Sequence, residues 1–349
     1  MKDIKLCASK IFKGSYLDNI FLLDSNISYV LIYDKNLENY ARCLLKTMQN
    51  RSMHCYPISL AVQEKFKTRK SKELIENKLI QKKITKDTCI IALGGGVLLD
   101  LVGFVAATYC RGVKLISIPT TLLAMVDAAI GGKVGVNAGS YKNWIGTFYP
   151  AHEIWIDDTF LKTLNEKEIK NGIAEIIKYA LIYCPSLMKK LENIKKDSYL
   201  PIIQQCISIK QAIVGDDLLD QKKRNLLNFG HTICHALEGY FQYKISHGEA
   251  VALGIVFESY LSFLLGYLPW KEFQKIDSLV EAYSYPKDFL KRISLASLLK
   301  FLKMDKKNKN EKIYFVLLDK IGKAHQDKDQ FSFPVDVAMI RKAYEYFQD

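Results

Sequence analysis

The chain has 349 residues, 49% of them hydrophobic and 25% charged, with a formal net charge of +13. That length allows two domains with cores of their own, and the balance is that of an ordinary globular protein. No apolar run approaches the length that spans a bilayer, and Met1-Lys2-Asp3-Ile4-Lys5-Leu6 lacks the apolar stretch of a signal peptide, so neither is expected.

The positive excess is lysine spread along the chain, as at 65–72, 189–196 and 303–312, rather than arginine and aromatic residues gathered on one element. This argues against a nucleic-acid partner and is compatible with an anionic small-molecule substrate. The eight cysteines (7, 43, 55, 89, 110, 184, 206, 234) form no CxxC pair, and several lie in apolar surroundings. Reduced, buried thiols in a cytosolic protein are expected rather than a disulfide framework.

In chain order, Tyr29 to Tyr33 reads as a strand, Leu37 to Asn50 as a helix, His54 to Ile58 as a strand and Lys70 to Lys83 as a helix. Thr88 to Leu93 is a third strand running into Gly94-Gly95-Gly96, and Leu115 to Ile118 a fourth, stopped by Pro119. The alternation predicts an α/β, Rossmann-like N-terminal domain with a parallel sheet and helices on both faces. From Asn165 the pattern is mainly helical: Glu168 to Tyr183, Pro201 to Val214, Arg224 to Tyr240 and Glu249 to Leu265. The expected division is 1–164 and a helical C-terminal domain, 165–349. Lys303 to Lys312 reads as a loop.

Several motifs carry chemistry. Gly94-Gly95-Gly96-Val97-Leu98-Leu99-Asp100 sits where a strand hands over to a helix, so glycines and free helix N–H groups can approach a pyrophosphate. It is not the GxGxxG fingerprint, and a tight turn without a ligand is the plainer alternative. Asp34 follows the first strand, where a carboxylate can accept from a ribose hydroxyl pair or cap a helix. Thr120-Thr121 follows Pro119 at a strand end. Lys133, exposed by Gly131-Gly132, together with Lys142 and Asn143 suits a phosphate or carboxylate.

Asn228-Phe229-Gly230-His231-Thr232-Ile233-Cys234-His235 and, beyond it, His247-Gly248-Glu249 hold three of the six histidines. Imidazole is a common zinc ligand and titrates near neutrality, so a metal or proton-transfer site is expected. Cys234 reads as a small core residue, because it projects from a different helical face than His231 and His235. Glu175 and Lys178 are neighbours on an apolar helix, so the carboxylate is either paired with Lys178 or bound to a cation. Glu175 with His231 and His247 makes a two-imidazole, one-carboxylate set, whereas His231 and His235, one turn apart, could chelate as a pair. Spacing alone leaves both open.

Across roughly Asp34 to Lys323 the chain resembles the 3-dehydroquinate synthase family. The resemblance rests on Gly94 to Asp100, Arg111-Gly112, Pro119 to Ala124, Val126 to Lys133, Lys142-Asn143, Phe160 to Leu164, Ala174-Glu175, Asn228 to His235, His247 to Val251 and Asp305-Lys306-Lys307. It implies a divalent metal, zinc or cobalt, on Glu175, His231 and His247, with His235 beside the substrate phosphate. It implies NAD held by Asp34, Asn36, Lys70, Gly95, Gly96, Val97, Leu98, Leu99, Asp100, Thr120, Thr121, Asp127, Lys133, Lys142, Phe160, Leu161, Lys162 and Thr163. Lys210 and Arg224 are implied to hold the substrate carboxylate. Lys133, Asn143, Lys178, Asn228 and Lys307 would surround the phosphate, with Arg111 reaching it from the partner in a homodimer. The implied activity is a lyase reaction of the shikimate pathway, from 3-deoxy-D-arabino-heptulosonate 7-phosphate to 3-dehydroquinate and phosphate, in which NAD is regenerated.

The chain departs from the family pattern at Ala128-Ala129, Met125, Tyr141 and Val134, and Lys67 stands where an acidic residue near the adenine is usual. Two other readings share the fold: metal- and NAD-dependent alcohol or glycerol-1-phosphate dehydrogenases, and cyclases making inosose or valiolone products. The first lack the combination of Lys210, Arg224, Asn228 and His235. The second lack a substrate carboxylate and would be expected to change Lys210, Arg224 or Asn228. A basic binding protein without activity is disfavoured, because every implied ligand is present.

Overall fold

The computed structural model describes residues 9–139, 141–192, 199–242, 244–304 and 312–348. Two compact units divide it, Met1–Asn165 and Glu166–Asp349.

The first unit is built on β1 (Lys10–Lys13), β2 (Tyr29–Asp34), α1 (Glu38–Gln49), β3 (Cys55–Leu60), α2 (Arg69–Gln81), β4 (Cys89–Gly94), α3 (Gly96–Thr108) and β5 (Lys114–Pro119). A hairpin of β6 (Lys133–Ala138) and β7 (Tyr141–Phe148) follows, then β8 (Glu153–Ile156). The main sheet runs β1-β8-β5-β4-β2-β3 with every pairing parallel. β4 is buried along its whole length and β2 along all but its last residue, which is why both read as unbroken apolar runs. From β2 the chain moves to β3 on one side, whereas from β4 it moves to β5 on the other. The topological switch therefore lies between β2 and β4, whose last matched pair is Tyr33 with Leu93. Asp34 and Gly94 end these two strands, at the edge where open α/β sheets collect ligands.

Sequence reasoning missed β1, β8 and the antiparallel β6–β7 hairpin. The hairpin carries Gly135, Gly139 and Gly146, which mask any apolar alternation, and a Cβ on Gly146 would lie 2.1 Å from the Val134 carbonyl oxygen. α3 approaches β6 just as closely, since a Cβ on Gly103 would meet Val134 Cγ1 at 2.4 Å.

The second unit holds α4 (Glu166–Ile182), α5 (Ser186–Glu192), α6 (Leu200–Asp216), α7 (His231–Tyr240), α8 (His247–Leu264), α9 (Trp270–Ala282), α10 (Asp288–Lys291) and α11 (Leu295–Lys303). Short strands β9 (Ile313–Phe315), β10 (Leu318–Lys320), β11 (Lys323–Ala324) and β12 (Phe333–Val335) precede α12 (Val337–Tyr346). α4 is buried from Asn171 to Ile182 and packs against α8, which in turn packs on α7.

The helix expected over Arg224 to Tyr240 is corrected here. Lys223–Asn228 forms a 3-10 turn, the chain breaks at Phe229-Gly230, and α7 starts at His231. Gly230 sits at φ +78, and α8 passes so near that a Cβ on Gly254 would lie 1.8 Å from the Gly230 carbonyl oxygen. Only glycine meets both requirements comfortably. Among the described residues no helix is long and apolar enough to cross a membrane.

The close α3–β6 contact gives a double-mutant test. Gly103→Ala is expected to cost about 1–3 kcal/mol, as overpacking does. Adding Val134→Ala should recover part of that loss in thermal unfolding, and an additive double mutant would show that the helix and hairpin are not in contact.

Candidate functional site

In the second unit, the starts of two helices and the middle of a third converge. Glu175 on α4 is fully buried, and its Oε1 lies 3.0 Å from His247 Nε2 and 3.3 Å from His231 Nε2. His231 and His247 are the first residues of α7 and α8. One donor atom from each of the three side chains lies within 4.8 Å of the others, a spacing that suits a metal ion.

Hydrogen-bond partners fix the ring orientations. His231 Nδ1 lies 3.1 Å from the Phe229 carbonyl oxygen, and His247 Nδ1 lies 3.1 Å from Glu238 Oε1. A carbonyl and an ionised carboxylate only accept, so both Nδ1 atoms carry hydrogen and both Nε2 atoms turn toward Glu175. For neutral His231 this sets a nitrogen lone pair against a carboxylate oxygen, an arrangement that calls for a cation between them.

The electrostatics agree. Burial pushes the Glu175 carboxyl up, but the Lys178 ammonium and both histidines outweigh it and hold it well below the usual carboxylate range. Burial pushes the His231 imidazole down to about 4. Burial also disfavours charge on His247, yet its contacts with Cys234, Glu175 and Glu238 hold it well above its ordinary value. The carboxylate is therefore anionic, His231 is a neutral donor, and positive charge is drawn to the position between them and His247. The donor set fits a divalent metal of the zinc type.

Helix packing explains how the three ligands meet. Asn171, one turn before Glu175 on α4, accepts from the Gly248 N–H at 2.8 Å, and a Cβ on Gly248 would lie 2.5 Å from the Asn171 Cα. α4 thus grips the first turn of α8, which Ser246 and Glu249 close with a reciprocal capping box.

The other residues singled out in this unit are placed around this cluster. Lys178 Nζ forms an ion pair with Glu175 Oε2, one turn along α4. His235 is half-buried one turn into α7, its ring centroid 5.7 Å from that of His231, and it is outside the donor set. Cys234 is buried as expected, but its Sγ lies 3.9 Å from His247 Nδ1, so it backs a ligand rather than filling a remote core. Lys210 on α6 is buried and Arg224 is almost fully so, with Arg224 Nη1 donating to the Leu218 carbonyl at 2.7 Å. α6 packs against the 3-10 turn that carries Arg224. Asn228 donates to Asn225 Oδ1 at 3.4 Å. Lys307 lies outside the described residues.

In the first unit, Gly95 stands at the N-cap of α3 without a side-chain cap. Gly94 leads into the turn, its carbonyl accepting from the Thr120 N–H at 3.0 Å. Ideal Cβ atoms on Gly95 and Gly96 would meet Thr121 and Ala128 at 3.1 and 3.2 Å. Val97 and Asp100 are half-buried and Leu98 and Leu99 buried. Asp34 caps the short turn after β2 by accepting from Asn36 N at 3.0 Å. A shallow cavity is lined by Asp100, Ser117, Ala128, Gly132, Lys133 and Tyr149. Asp127 and Lys142 are half-buried, and Lys133 and Asn143 exposed, on or beside the hairpin. Phe160 and Leu161 are buried, while Lys162 and Thr163 are exposed. Arg111 is exposed in a turn where Cys110, Arg111 and Gly112 all have positive φ.

Lys67, treated only as a departure from the family pattern, is 2% exposed and reaches Asp100 Oδ2 at 2.5 Å and Asn143 Oδ1. Lys70 is exposed in the first turn of α2. Their setting in a run of lysines hid the difference, and the Thr68 N-cap is the signal that α2 begins just after Lys67.

A Rossmann-like α/β unit with a glycine turn at its switch point, followed by a helical unit holding a carboxylate and two imidazoles at metal-ligand spacing, marks a metal-dependent enzyme of the α/β class. Family models for the N-terminal and C-terminal parts of 3-dehydroquinate synthase match residues 57–171 and 172–308. A 3-dehydroquinate synthase of Methylacidiphilum infernorum (isolate V4) is 38% identical over 319 residues, covering 91% of this chain and 88% of that protein. The chain belongs to the 3-dehydroquinate synthase family.

The pentafunctional AROM polypeptide 1 of Lodderomyces elongisporus is 34% identical over 350 residues, and the match covers 92% of this chain but 22% of that polypeptide. The chain thus spans about a fifth of that relative's length. Among solved structures, 2-deoxy-scyllo-inosose synthase complexed with carbaglucose-6-phosphate, NAD+ and Co2+ has a TM-score of 0.88 at 23% identity, covering 98% of each chain. ValA, a 2-epi-5-epi-valiolone synthase from Streptomyces hygroscopicus subsp. jinggangensis 5008 with NAD+ and Zn2+ bound, has a TM-score of 0.85 at 24% identity, covering 99% of this chain and 98% of that one. These two likenesses show the shared fold.

The Lys67 arrangement is testable. Lys67→Met is expected to cost about 1–3 kcal/mol in thermal unfolding, because Asp100 keeps its charge and loses a buried partner. Lys70→Ala should leave the unfolding midpoint unchanged. Equal effects of the two substitutions would refute the assignment.

Proposed function

We propose that the chain is a 3-dehydroquinate synthase, a phosphorus–oxygen lyase converting 3-deoxy-D-arabino-heptulosonate 7-phosphate to 3-dehydroquinate and phosphate in the shikimate pathway of aromatic amino-acid biosynthesis. Family membership supports this, and one observation carries it: the donor set of buried Glu175 and half-buried His231 and His247 lies in the same unit as two buried cations, Lys210 and Arg224. The elements that carry them, α6 and the 3-10 turn at Lys223–Asn228, both pack against α4, the helix of Glu175, so a substrate carboxylate held by these cations suits the reading. The proposed cofactors are NAD, in the first unit, and a divalent metal, zinc or cobalt, in the second. A cytoplasmic homodimer is the proposed form, with Arg111 of one protomer serving the phosphate site of its partner.

NAD held in the first unit would supply reversible hydride transfer, and a metal held by Glu175, His231 and His247 would supply Lewis acidity. The chain's own residues do the rest. Lys210 and Arg224 hold the carboxylate end. Lys133, Asn143, Lys178, Asn228 and Lys307 are assigned to the phosphate. His235 is placed beside that phosphate as a proton-transfer group, free of the metal. Glu175, His231 and His247 keep the Lewis acid fixed, while the N–H groups of the Gly95–Asp100 turn hold the pyrophosphate of NAD. Asp34 and Asn36 are assigned to the ribose. Lys70, Thr120, Thr121, Asp127, Lys133, Lys142 and Phe160 to Thr163 complete the proposed cofactor site. Holding one substrate by both anionic ends through oxidation, elimination, reduction and ring closure makes orientation the main contribution of the protein.

Two measurements test this reading. Glu175→Gln, His231→Ala and His247→Ala should each lose bound metal and activity, whereas His235→Ala should retain metal. Metal analysis decides it, and a His235 variant stripped of metal beside a metal-loaded His247 variant would reverse the ligand assignment.

The second measurement compares the heptulosonate phosphate with glucose 6-phosphate and sedoheptulose 7-phosphate by phosphate release. Only the first should turn over, with no stoichiometric NADH appearing. Arg224→Ala and Lys210→Ala should each weaken its binding roughly 10- to 150-fold, the value of about 1.5–3 kcal/mol for a charge-assisted bond. Turnover of a neutral-headed sugar instead would assign the chain to another cyclase activity, and accumulating NADH would assign it to a dehydrogenase.

A further inference from the structure

The first turn of α7 presents its metal-facing histidine from a helix end with no cap of its own. Gly230, at the N-cap, has no side chain to offer the free N–H groups. A residue 28 positions away fills that role. Glu258 on α8 is fully buried, and its Oε2 accepts from the Gly230 N–H at 2.7 Å while its Oε1 accepts from Thr232 N at 3.1 Å and Ile233 N at 3.5 Å. These bonds bracket His231.

The contact is built into one face of α8. His247, Val251, Gly254 and Glu258 follow one another at three- and four-residue spacing, so they share a stripe. Val251 and Gly254 press on the Gly230 turn, where an added Cβ at Gly230 would lie 3.1 Å from the Val251 carbonyl oxygen. One helix therefore supplies His247 directly and holds His231 through Glu258.

The charge has a second consequence. His231 and His247 both open helices, and each helix start carries roughly half a positive elementary charge. A divalent cation beside two such ends is disfavoured unless carboxylates offset them. Glu249 does so for α8 through the capping box, and Glu258 is the group that does so for α7.

We propose that Glu258 is a positioning residue for the metal centre: as a buried carboxylate cap from α8, it fixes the first turn of α7, aims His231 Nε2, and offsets the helix charge that opposes a cation there. The inference rests on the metal reading above and is independent of which substrate the enzyme turns over.

The test titrates metal-free protein with Zn2+ or Co2+ alone, using a chelator competition, and needs no substrate. Glu258→Ala should raise the dissociation constant about 10- to 100-fold, as loss of a group supporting a metal ligand typically does. Glu258→Gln, which keeps one acceptor oxygen but no charge, should fall between parent and Ala and stays informative if the Ala variant fails to fold. The visible spectrum of the Co2+ form should shift in Glu258→Gln, reporting an altered ligand geometry. Leu261→Ala on the same helix is the control for general destabilisation, expected to lower the thermal midpoint while leaving metal affinity at the parent value. Parental affinity in Glu258→Gln, or an equal loss of affinity in Leu261→Ala, overturns the proposal. A parent chain that binds neither metal overturns the metal centre itself, and this inference with it.

Discussion

A carboxylate with no solvent exposure, Glu175, is the constraint around which the helical unit is organised. An ionised group in that position is sustained only by cations and donors brought to it, and a lost partner is costly because the charge cannot retreat to water. Lys178 meets one oxygen from the same helix, and two imidazoles from two other helices meet the second. α4, α7 and α8 are therefore tied together at a point where only matched charge is tolerated. Their packing and the donor geometry are a single arrangement.

Bringing two helix starts to one carboxylate requires backbone contact closer than side chains permit. Gly248 against Asn171, and Gly254 against Gly230, provide it, and each would set a Cβ less than 3 Å from backbone atoms if replaced. The absence of side chains on α8 at these positions is what lets His247 and the Gly230 turn sit near Glu175. In the same region four acidic side chains, Glu175, Glu238, Glu249 and Glu258, face the metal-facing histidines or cap the helix ends. Negative charge is thus concentrated in a chain whose net charge is +13. The global excess of lysine says little about the potential at this site.

Much of the framework was legible in the residue pattern because buried parallel strands read as unbroken β-branched runs, and β2, β4 and β5 are of that kind. What escaped notice was of another kind. The β6–β7 hairpin is glycine-broken and half-exposed, so it shows no alternation. The stop at Gly230 was hidden inside an otherwise helical pattern, since one glycine there reads as a tolerated interruption until a positive φ and the approach of α8 are seen. The spacing of His231, His235 and His247 left two ligand pairs open, and only the tertiary placement of Glu175 separates them geometrically. Lys67 shows the limit most plainly: in a run of lysines a buried one cannot be told from its solvated neighbours by composition. Its burial depends on Asp100 and Asn143, distant in sequence.

The two units differ in what their sites are made of, and this bears on how one fold serves several products. At the switch point of the sheet the groups on offer are largely backbone: uncapped N–H groups at the start of α3, glycines, and an aspartate at a strand end. On the reading proposed here, such a site holds the pyrophosphate and ribose of the cofactor and does not distinguish one substrate from another. The helical unit offers side chains in fixed positions, with Lys210 and Arg224 buried on elements separate from the metal donors. A buried cation discriminates, because a substrate without the matching anion forfeits the charge-assisted bonds it would otherwise make there. The same scaffold carries an inosose synthase and a valiolone synthase at 23% and 24% identity. On the reading proposed here, the cofactor and metal chemistry of this chain resides in the backbone turn and in the Glu175, His231 and His247 set. The choice of a substrate bearing a carboxylate resides in two cations that could change without disturbing either.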